Sequence, residues 1–423
     1  MTIITRHLQP RLEEALDAFR VVVVHGARQS GKTTLTRATI SKLGGSYVSL
    51  DDEAARSAVM ADPMEFLVSF GTPLAIDEVQ LGGDRLVRAV KRLVDDDPTP
   101  GRFVLTGSTN FLTVPVISES LAGRARILRL GPLSECELNE TTTSVAGWFD
   151  EMPRSGLSAS TPRNTLFEII CRGGYPEATR IPRSARDGWF ESYLETVTQR
   201  DIVELADIRN AASLPRLLRW AAGLTSNEFN ISNASQTLGI DRATINKYLE
   251  WLESVFLIHQ VPAWSRNLSG RAVRRSKIHV SDTGLAAHLI GASPKTLASP
   301  TSPTTGPLVE SFVINEIRRQ LASATTRVEM YHYRDNHQRE IDLLVERSDG
   351  AMMGIEIKAT TSPSPAMMRH LEWLRDKLDA TSPGAFRAGI LLHGGEQSLV
   401  VGDRMHMIPI SFLWTPSPPN PSR

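Results

Sequence analysis

The sequence predicts an α/β chain: a parallel sheet built around a phosphate-binding loop, then a helical lid, a winged helix-turn-helix and a second α/β unit. Three observations predict it. An apolar run enters a glycine loop at Val21 to Thr34, VVVVHGARQSGKTT; a second apolar run ends in two acids at Pro73 to Gln80, PLAIDEVQ; and EIDLLVE with MGIEIKA reads as a strand pair across a turn-like RSDG.

The first element is a strand, loop and helix in immediate succession. Gly26 and Gly31 permit the close turn and the approach of backbone to phosphate. Gly26, Ala27, Arg28, Gln29, Ser30, Gly31, Lys32, Thr33 and Thr34 would cradle ATP, with Lys32 on the β- and γ-phosphates and the Thr33 hydroxyl on Mg²⁺. In the next strand, Leu74 to Ile76 precede Asp77, which would hold the Mg²⁺ shell, and Glu78, which would orient or deprotonate water. The strand after it, Arg102 to Leu105, leads to Ser108 and Asn110, the candidate phosphate sensors, with Asn110 taken as catalytic. LAGRARILRL then carries Arg124, Arg126 and Arg129. Arg124 is the best candidate to stabilise phosphoryl charge, and from a neighbouring copy it would imply a homo-oligomer; a solvated basic face is the other reading.

Thr141 to Asn164 is rich in small polar residues and reads as an irregular connection. Thr165 to Leu224 has helical spacing and predicts a lid, with a turn at Gly174, Tyr175 and Pro176. Ile231 to Ile258 has helix-turn-helix spacing: a cap at Ser232, a turn at Gly239, and a second cap at Asp241 before a longer amphipathic helix. Arg242, Thr244 and Lys247 would face DNA, while Ile245, Leu249 and Leu252 pack inward. Arg266, Arg271, Arg274, Arg275 and Lys277 follow with no acid between them, where a wing would lie; Arg271, Arg274 and Arg275 are its candidate DNA contacts. A winged helix that only packs against the ATPase is the alternative.

Gly291 to Pro307 is a Ser/Thr/Pro linker by composition. Beyond it, Leu308 to Gln320 reads as a helix carrying Glu310. On a strand, residues two apart share a face, so Glu356 and Lys358 point the same way. Asp342 and Glu356, with the Ile357 carbonyl, would hold Mg²⁺; Glu310 would complete the set, and Lys358 would position hydroxide or stabilise the phosphorane. His332 and His337 belong to no convincing ligand set, and the pairs Met352/Met353 and Met367/Met368 suit gap-filling.

These motifs, together with GARQSGKTTL, LTGSTN, LAGRARILRLGPLSECE, GGYPEA, the QRDI segment, SDTGLAAHL and LVESFVINEI, resemble bacterial and archaeal AAA+ ATPases with a C-terminal PD-(D/E)xK nuclease-like domain. The resemblance spans nearly the whole chain. It departs at Ala27, where the family often has proline, and at Ser311, where it often has asparagine. It implies an AAA+ core over 1–145, a lid over 160–228, a winged helix over 229–290, a linker over 291–307, a restriction-endonuclease-like α/β domain over 308–413 and a disordered tail over 414–423. The implied function is an ATPase acting on or bound to DNA, with a Mg²⁺-dependent nuclease. The alternative is a nucleotide-dependent switch or scaffold whose C-terminal domain only binds DNA or a protein partner.

Composition agrees with several domains: 423 residues at 41% hydrophobic content suffice for more than one core. Formal charge is zero, so DNA contact must come from local clusters. Cys136 and Cys171 alone build no disulfide framework and suit a reducing cytoplasm. No stretch approaches the about 18 apolar residues of a membrane span.

Overall fold

Valines 21 to 24 have no polar side chain to place at a surface, and they run through the middle of the first sheet, buried on both faces. The structure, a computed structural model, describes residues 3–108, 121–158, 161–198, 213–265 and 275–415. Asn110, the QRDI segment, Arg266, Arg271, Arg274 and residues 416–423 lie outside them.

The N-terminal unit runs α1 (Gln9–Ala18), β1 (Val21–His25), α2 (Lys32–Lys42), β2 (Ser46–Ser49), α3 (Glu53–Ala61), α4 (Pro63–Phe70), β3 (Leu74–Asp77), α5 (Gly83–Asp96), β4 (Phe103–Gly107), β5 (Ala125–Arg129) and α6 (Glu135–Leu138). The five strands pair in parallel in the order β2-β3-β4-β1-β5. Alternate residues feed two cores: Val21, Val23, Ile76 and Leu105 pack on one face, and Val22, Val24, Ala75 and Val104 on the other.

The connection is largely irregular among its described residues, as expected, and it is packed. Val145 to Phe149 form a 3₁₀ turn that buries Val145, Trp148 and Phe149, because these apolar side chains find a neighbouring core. A helical region follows, which among the described residues contains α7 (Arg163–Arg172), α8 (Pro176–Arg180), α9 (Arg183–Thr196) and α10 (Leu214–Gly223). Then come β6 (Asn227–Glu228), α11 (Ile231–Leu238), α12 (Arg242–Ser254), β7 (Ile258–Val261) and β8 (Lys277–Val280). The strands form an antiparallel sheet in the order β6-β8-β7. Ile245, Leu249 and Leu252 are buried as expected. The cap of α11 is Asn230 rather than Ser232, since the Asn230 side chain accepts from Ser232 N and Asn233 N at 3.1 and 3.2 Å.

After α13 (Thr283–Leu289), the presumed linker is ordered. It contains α14 (Pro294–Leu297), closed by a Ser293/Thr296 capping box, and it buries Leu297 completely. The C-terminal unit consists of α15 (Thr305–Ala322), β9 (Val328–Arg334), β10 (Glu340–Arg347), β11 (Met352–Lys358), α16 (Arg369–Thr381), β12 (Phe386–His393), β13 (Leu399–Gly402) and β14 (Met405–Pro409). Its mixed sheet has the order β13-β14-β12-β11-β10-β9. Trp414, assigned to the tail, is buried and contacts Phe312, so the folded unit extends past it. Met352, Met353 and Met368 are buried as gap-fillers.

One hydrophobic core crosses the expected boundaries. Phe167 of α7, Leu249 of α12, Phe312 of α15 and Ile355 of β11 belong to the same cluster. Among the described residues no helix is long and apolar enough to cross a membrane.

Strands β7 and β8 set His259 and His279 side by side, ring centroids 5.3 Å apart, both buried. Burial, reinforced by Arg318 at His259 and by Lys277 at His279, holds both well below the usual imidazole range. The unfolded chain takes up these protons near pH 6.5 and the folded chain does not. Stability present above about pH 6.5 is therefore lost as the pH falls below it. Thermal unfolding across pH 5 to 8 should show this slope, and His259→Phe should flatten it.

Candidate nucleotide site and carboxylate cluster

All strands of a parallel sheet end at one edge, so β1, β3 and β4 deliver their functional groups together. β1 runs directly into Gly26, where a Cβ would stand 1.9 Å from the Leu130 carbonyl oxygen. Only glycine fits there. Gly31, at φ +95°, heads α2. Lys32 Nζ lies 2.9 Å from Gly26 O and 3.0 Å from Ala27 O, inside the loop.

Asp77, at the end of β3, collects three hydroxyl donors. Thr33 Oγ1 and Tyr47 OH donate to Oδ2 at 2.7 Å each, and Thr106 Oγ1 donates to Oδ1. Burial pushes the Asp77 carboxyl up, but these donors and the Lys32 charge outweigh it and hold the group below its usual range. Glu78 takes φ +52°, uncommon for a residue with a side chain. Its Oε2 accepts from Ser108 N and Oγ, both at 3.1 Å, and from Gln80 Nε2 at 2.6 Å. Ser108 thus steadies Glu78.

Arg124 sits at the opposite edge. It precedes Ala125, which pairs with Val21 at the start of β1, and its guanidinium grips Asp95 at 2.5 and 2.9 Å. This removes contact with its own chain's nucleotide. Because β5 runs parallel to β1, Arg129, not Arg124, reaches the phosphate edge.

Arg6 and Tyr47 complete the site without having been singled out in the sequence, beside Thr106 from the polar strand end after Leu105. Arg6 is buried; its Nη1 donates to Ser30 O at 2.5 Å, its Nη2 to Gly131 O at 2.8 Å, and its Nε to Glu137 at 3.0 Å. It braces the loop from the chain's N-terminal segment. The signal was the LSECE motif, whose Glu137 is the partner. From the lid, Tyr193 OH donates to Arg28 O at 3.3 Å. Beside the loop, Ile3, Ile4, Thr34, Leu133, Pro176 and Arg180 line a cavity of about 360 Å³. Pro176 comes from the Gly174–Pro176 turn, so that turn borders the cavity beside the loop.

In the winged helix, Arg242 and Lys247 are exposed on α12, and Thr244 is tied to its cap, Asp241, by its amide at 2.9 Å and by its hydroxyl. Arg275 is exposed. The segment after β7 is bonded to β9: Trp264 N donates to His332 O at 2.7 Å, and His332 N donates to Pro262 O at 3.0 Å. Lys277, counted above among the wing charges, is 2% exposed and faces inward. It is no DNA contact.

Lys277 enters the cluster that the C-terminal carboxylates form. The β10/β11 register, Leu343 opposite Ile355, sets Asp342 beside Glu356, and the β9/β10 pairing is irregular between Ile341 and Leu344, where Asp342 emerges. Lys358 Nζ lies 2.9 Å from Glu356 Oε2 and 3.3 Å from Asp342 Oδ2. Asp342 Oδ2 also accepts from Ile357 N at 2.8 Å. On the other side, Lys277 Nζ is 2.9 Å from Glu310 and from Glu340, and 3.9 Å from Asp342 Oδ1. Glu310, Asp342, Glu356 and Lys358 are thus brought together, with Glu340 and Lys277 added.

Burial, then the Asp342 charge, pushes Glu356 up to about 8 and Glu310 up to about 7. The surrounding carboxylates overcome burial at Lys277 and Lys358 and hold both ammoniums above their usual range. Glu356 Oε1 is buried and has no hydrogen-bond partner. Among the described residues no three His, Cys, Asp or Glu side chains close around a ready-made metal position, because the lysines divide the carboxylates between them.

The chain is 31% identical over 366 residues to an uncharacterized protein of Mycobacterium tuberculosis, across 86% of this chain and 76% of that protein. It belongs to the family of that protein. The family's relatives include an uncharacterized protein of Methanocaldococcus jannaschii, 25% identical over 415 residues, 93% of this chain and 87% of that one. Residues 18–139 match the AAA domain family, residues 163–296 a domain of unknown function (DUF8612), and residues 305–413 another (DUF4143). The N-terminal unit is therefore an AAA ATPase domain, which implies ATP binding. Among solved structures, the Walker-type ATPase of Pyrococcus abyssi aligns with a TM-score of 0.42 at 17% identity, over 68% of this chain and 96% of that one.

Proposed function

We propose that the protein is a DNA-acting ATPase whose C-terminal domain is a Mg²⁺-dependent nuclease. The convergence of Asp342, Glu356, Lys358 and Glu310, with Glu356 Oε1 buried and unpaired, carries this reading.

At the nucleotide edge, the Gly26–Thr34 loop would wrap the phosphates, Lys32 would leave the loop carbonyls for the β- and γ-oxygens, and the cavity beside Pro176 would hold the base. Thr33 and Asp77, already 2.7 Å apart, form a hydroxyl-and-carboxylate set that fits Mg²⁺, which when bound would neutralise phosphate charge. Glu78, held by Ser108, would orient the attacking water and take its proton. A contribution from Arg124 would have to come from a neighbouring copy, after release from Asp95.

At the carboxylate cluster, the all-oxygen donors suit a hard cation, and the orphaned Glu356 oxygen is an acceptor that such a cation would satisfy. Mg²⁺ there would polarise a phosphodiester and its attacking water. Lys358, 40% exposed, stands at the rim and would steady the hydroxide or the phosphorane. Arg242 and Lys247 on α12, with Arg275, would supply phosphate contacts.

Purified protein with Mg²⁺ or Mn²⁺ should nick supercoiled plasmid or cut single-stranded DNA, and Asp342→Ala and Lys358→Ala should each lose that activity while retaining ATP hydrolysis. No cutting with or without ATP, beside intact ATPase activity, would leave the nucleotide-switch reading. The shared core of lid, winged helix and C-terminal unit supports that second reading, since nucleotide-driven lid movement would strain all three.

A further inference from the structure

We propose that Lys277 is a resident cation of the C-terminal carboxylate cluster, filling one of two cation positions, so that the site takes a single divalent ion beside Glu356. The inference rests on the nuclease reading above.

Four carboxylates converge: Glu310, Glu340, Asp342 and Glu356. A divalent ion beside Glu356 would hold all four ionised; of their four negative charges Lys277 and Lys358 return two, and the ion balances the remainder. The two lysines are not equivalent. Lys358 belongs to the same strand as Glu356 and is 40% exposed, whereas Lys277 arrives from β8 of the winged helix and is 2% exposed. Its ammonium touches Glu310 and Glu340 at 2.9 Å and lies 3.9 Å from Asp342 Oδ1. It therefore draws on the outer carboxylates and on one oxygen of the shared aspartate, as a metal in that position would. The other half of the cluster is unfinished, because Glu356 Oε1 is buried without a partner. An ammonium cannot be exchanged or chelated away, so this half of the site is set by the fold.

The position of Lys277 also carries information between domains. Five residues along, Asp282 accepts from Gly174 N of the lid turn at 2.7 Å. The segment that plugs the cluster is thus the one that touches the turn bordering the cavity beside the Gly26–Thr34 loop.

The test counts Mn²⁺ bound per nucleotide-free full-length chain, from the paramagnetic resonance signal of free Mn²⁺ during titration, with Asp342→Asn/Glu356→Gln as the blank. One equivalent above blank is expected for the wild type, two for Lys277→Met, and one for Lys277→Met/Glu310→Gln, in which the lost positive charge is matched by a lost negative one. Two equivalents in the wild type, or one in folded Lys277→Met, would overturn the proposal. No equivalent in either protein would instead mark failure of the nuclease reading itself. Should Lys277→Met not fold, the wild type decides by acetylation. Lys277 is expected to stay unlabelled at saturating Mn²⁺, with Lys358 labelled in the metal-free protein as the internal reference. Labelling of Lys277 that rises with Mn²⁺ would show displacement of the ammonium and overturn the assignment.

Discussion

Glu78→Gln is expected to bind ATP as the wild type does and to hydrolyse it about 10²- to 10⁴-fold more slowly, the usual loss when a positioned general base is removed. The glutamine carbonyl can still accept from Ser108 N and Oγ, so the strand edge and the Asp77 cluster keep their geometry. What disappears is a group able to take a proton from water. Steady-state phosphate release together with fluorescent-nucleotide binding checks this. Equal loss of binding and turnover would mean that Glu78 acts mainly by shaping the loop, and unchanged turnover would remove it from the chemistry.

The second large effect is structural. Asp282→Ala should destabilise the folded chain by about 3–5 kcal/mol, the range for removing one partner of a buried ion pair. Asp282 is fully buried; its carboxylate caps α13 through Leu285 N at 3.0 Å, accepts from Gly174 N at 2.7 Å and pairs with Arg319 at 3.5 Å. Its removal leaves two amides without a partner, and Arg319 keeps only carbonyl acceptors, Leu133 O and Ser281 O. Urea unfolding monitored by tryptophan fluorescence measures the loss. Asp282→Asn, which keeps an oxygen for the cap, should lose less. Since the Gly174 carbonyl also accepts from Leu133 N at 2.7 Å, and Leu133 lines the cavity beside the loop, the same substitution should weaken ATP binding.

α15 links the site residues of the C-terminal unit to the rest of the chain. Glu310 lies in its first half, on the carboxylate cluster, while Glu316, Arg319 and Gln320 in its second half bond Glu135 N, Leu133 O and Val145 N of the N-terminal unit and its connection. One helix therefore touches both candidate sites.

Much of this was legible from local pattern. The four valines, the two glycines and Lys32-Thr33 announce a strand, a tight loop and a helix start, because each step depends on backbone freedom and hydrophobicity within a few residues. The same holds for Asp77-Glu78 at a strand end, for the Asp241 cap that begins α12, and for Glu356 and Lys358 on one face of β11. The sequence by itself determined the chemistry available at each strand end and the period of each helix and strand. It also showed that the N-terminal sheet must be parallel and buried on both faces.

Other features were decided only when distant segments met. Lys277 belongs by composition to a basic wing, yet it is buried, because Glu310 and Glu340 arrive from elsewhere to neutralise it and an unpaired ammonium would not tolerate that burial. Arg124 reads like a phosphate-facing arginine until the parallel pairing of β5 with β1 sends it to the opposite edge. Arg6 looks unremarkable until Glu137 and the Ser30 carbonyl surround it. The Ser/Thr/Pro stretch 291–307 reads as a linker, but Leu297 and a capping box secure it. In each case the deciding term is a long-range pairing of charge or apolar surface, whose free energy depends on where the partner stands and leaves no period or spacing in the local sequence.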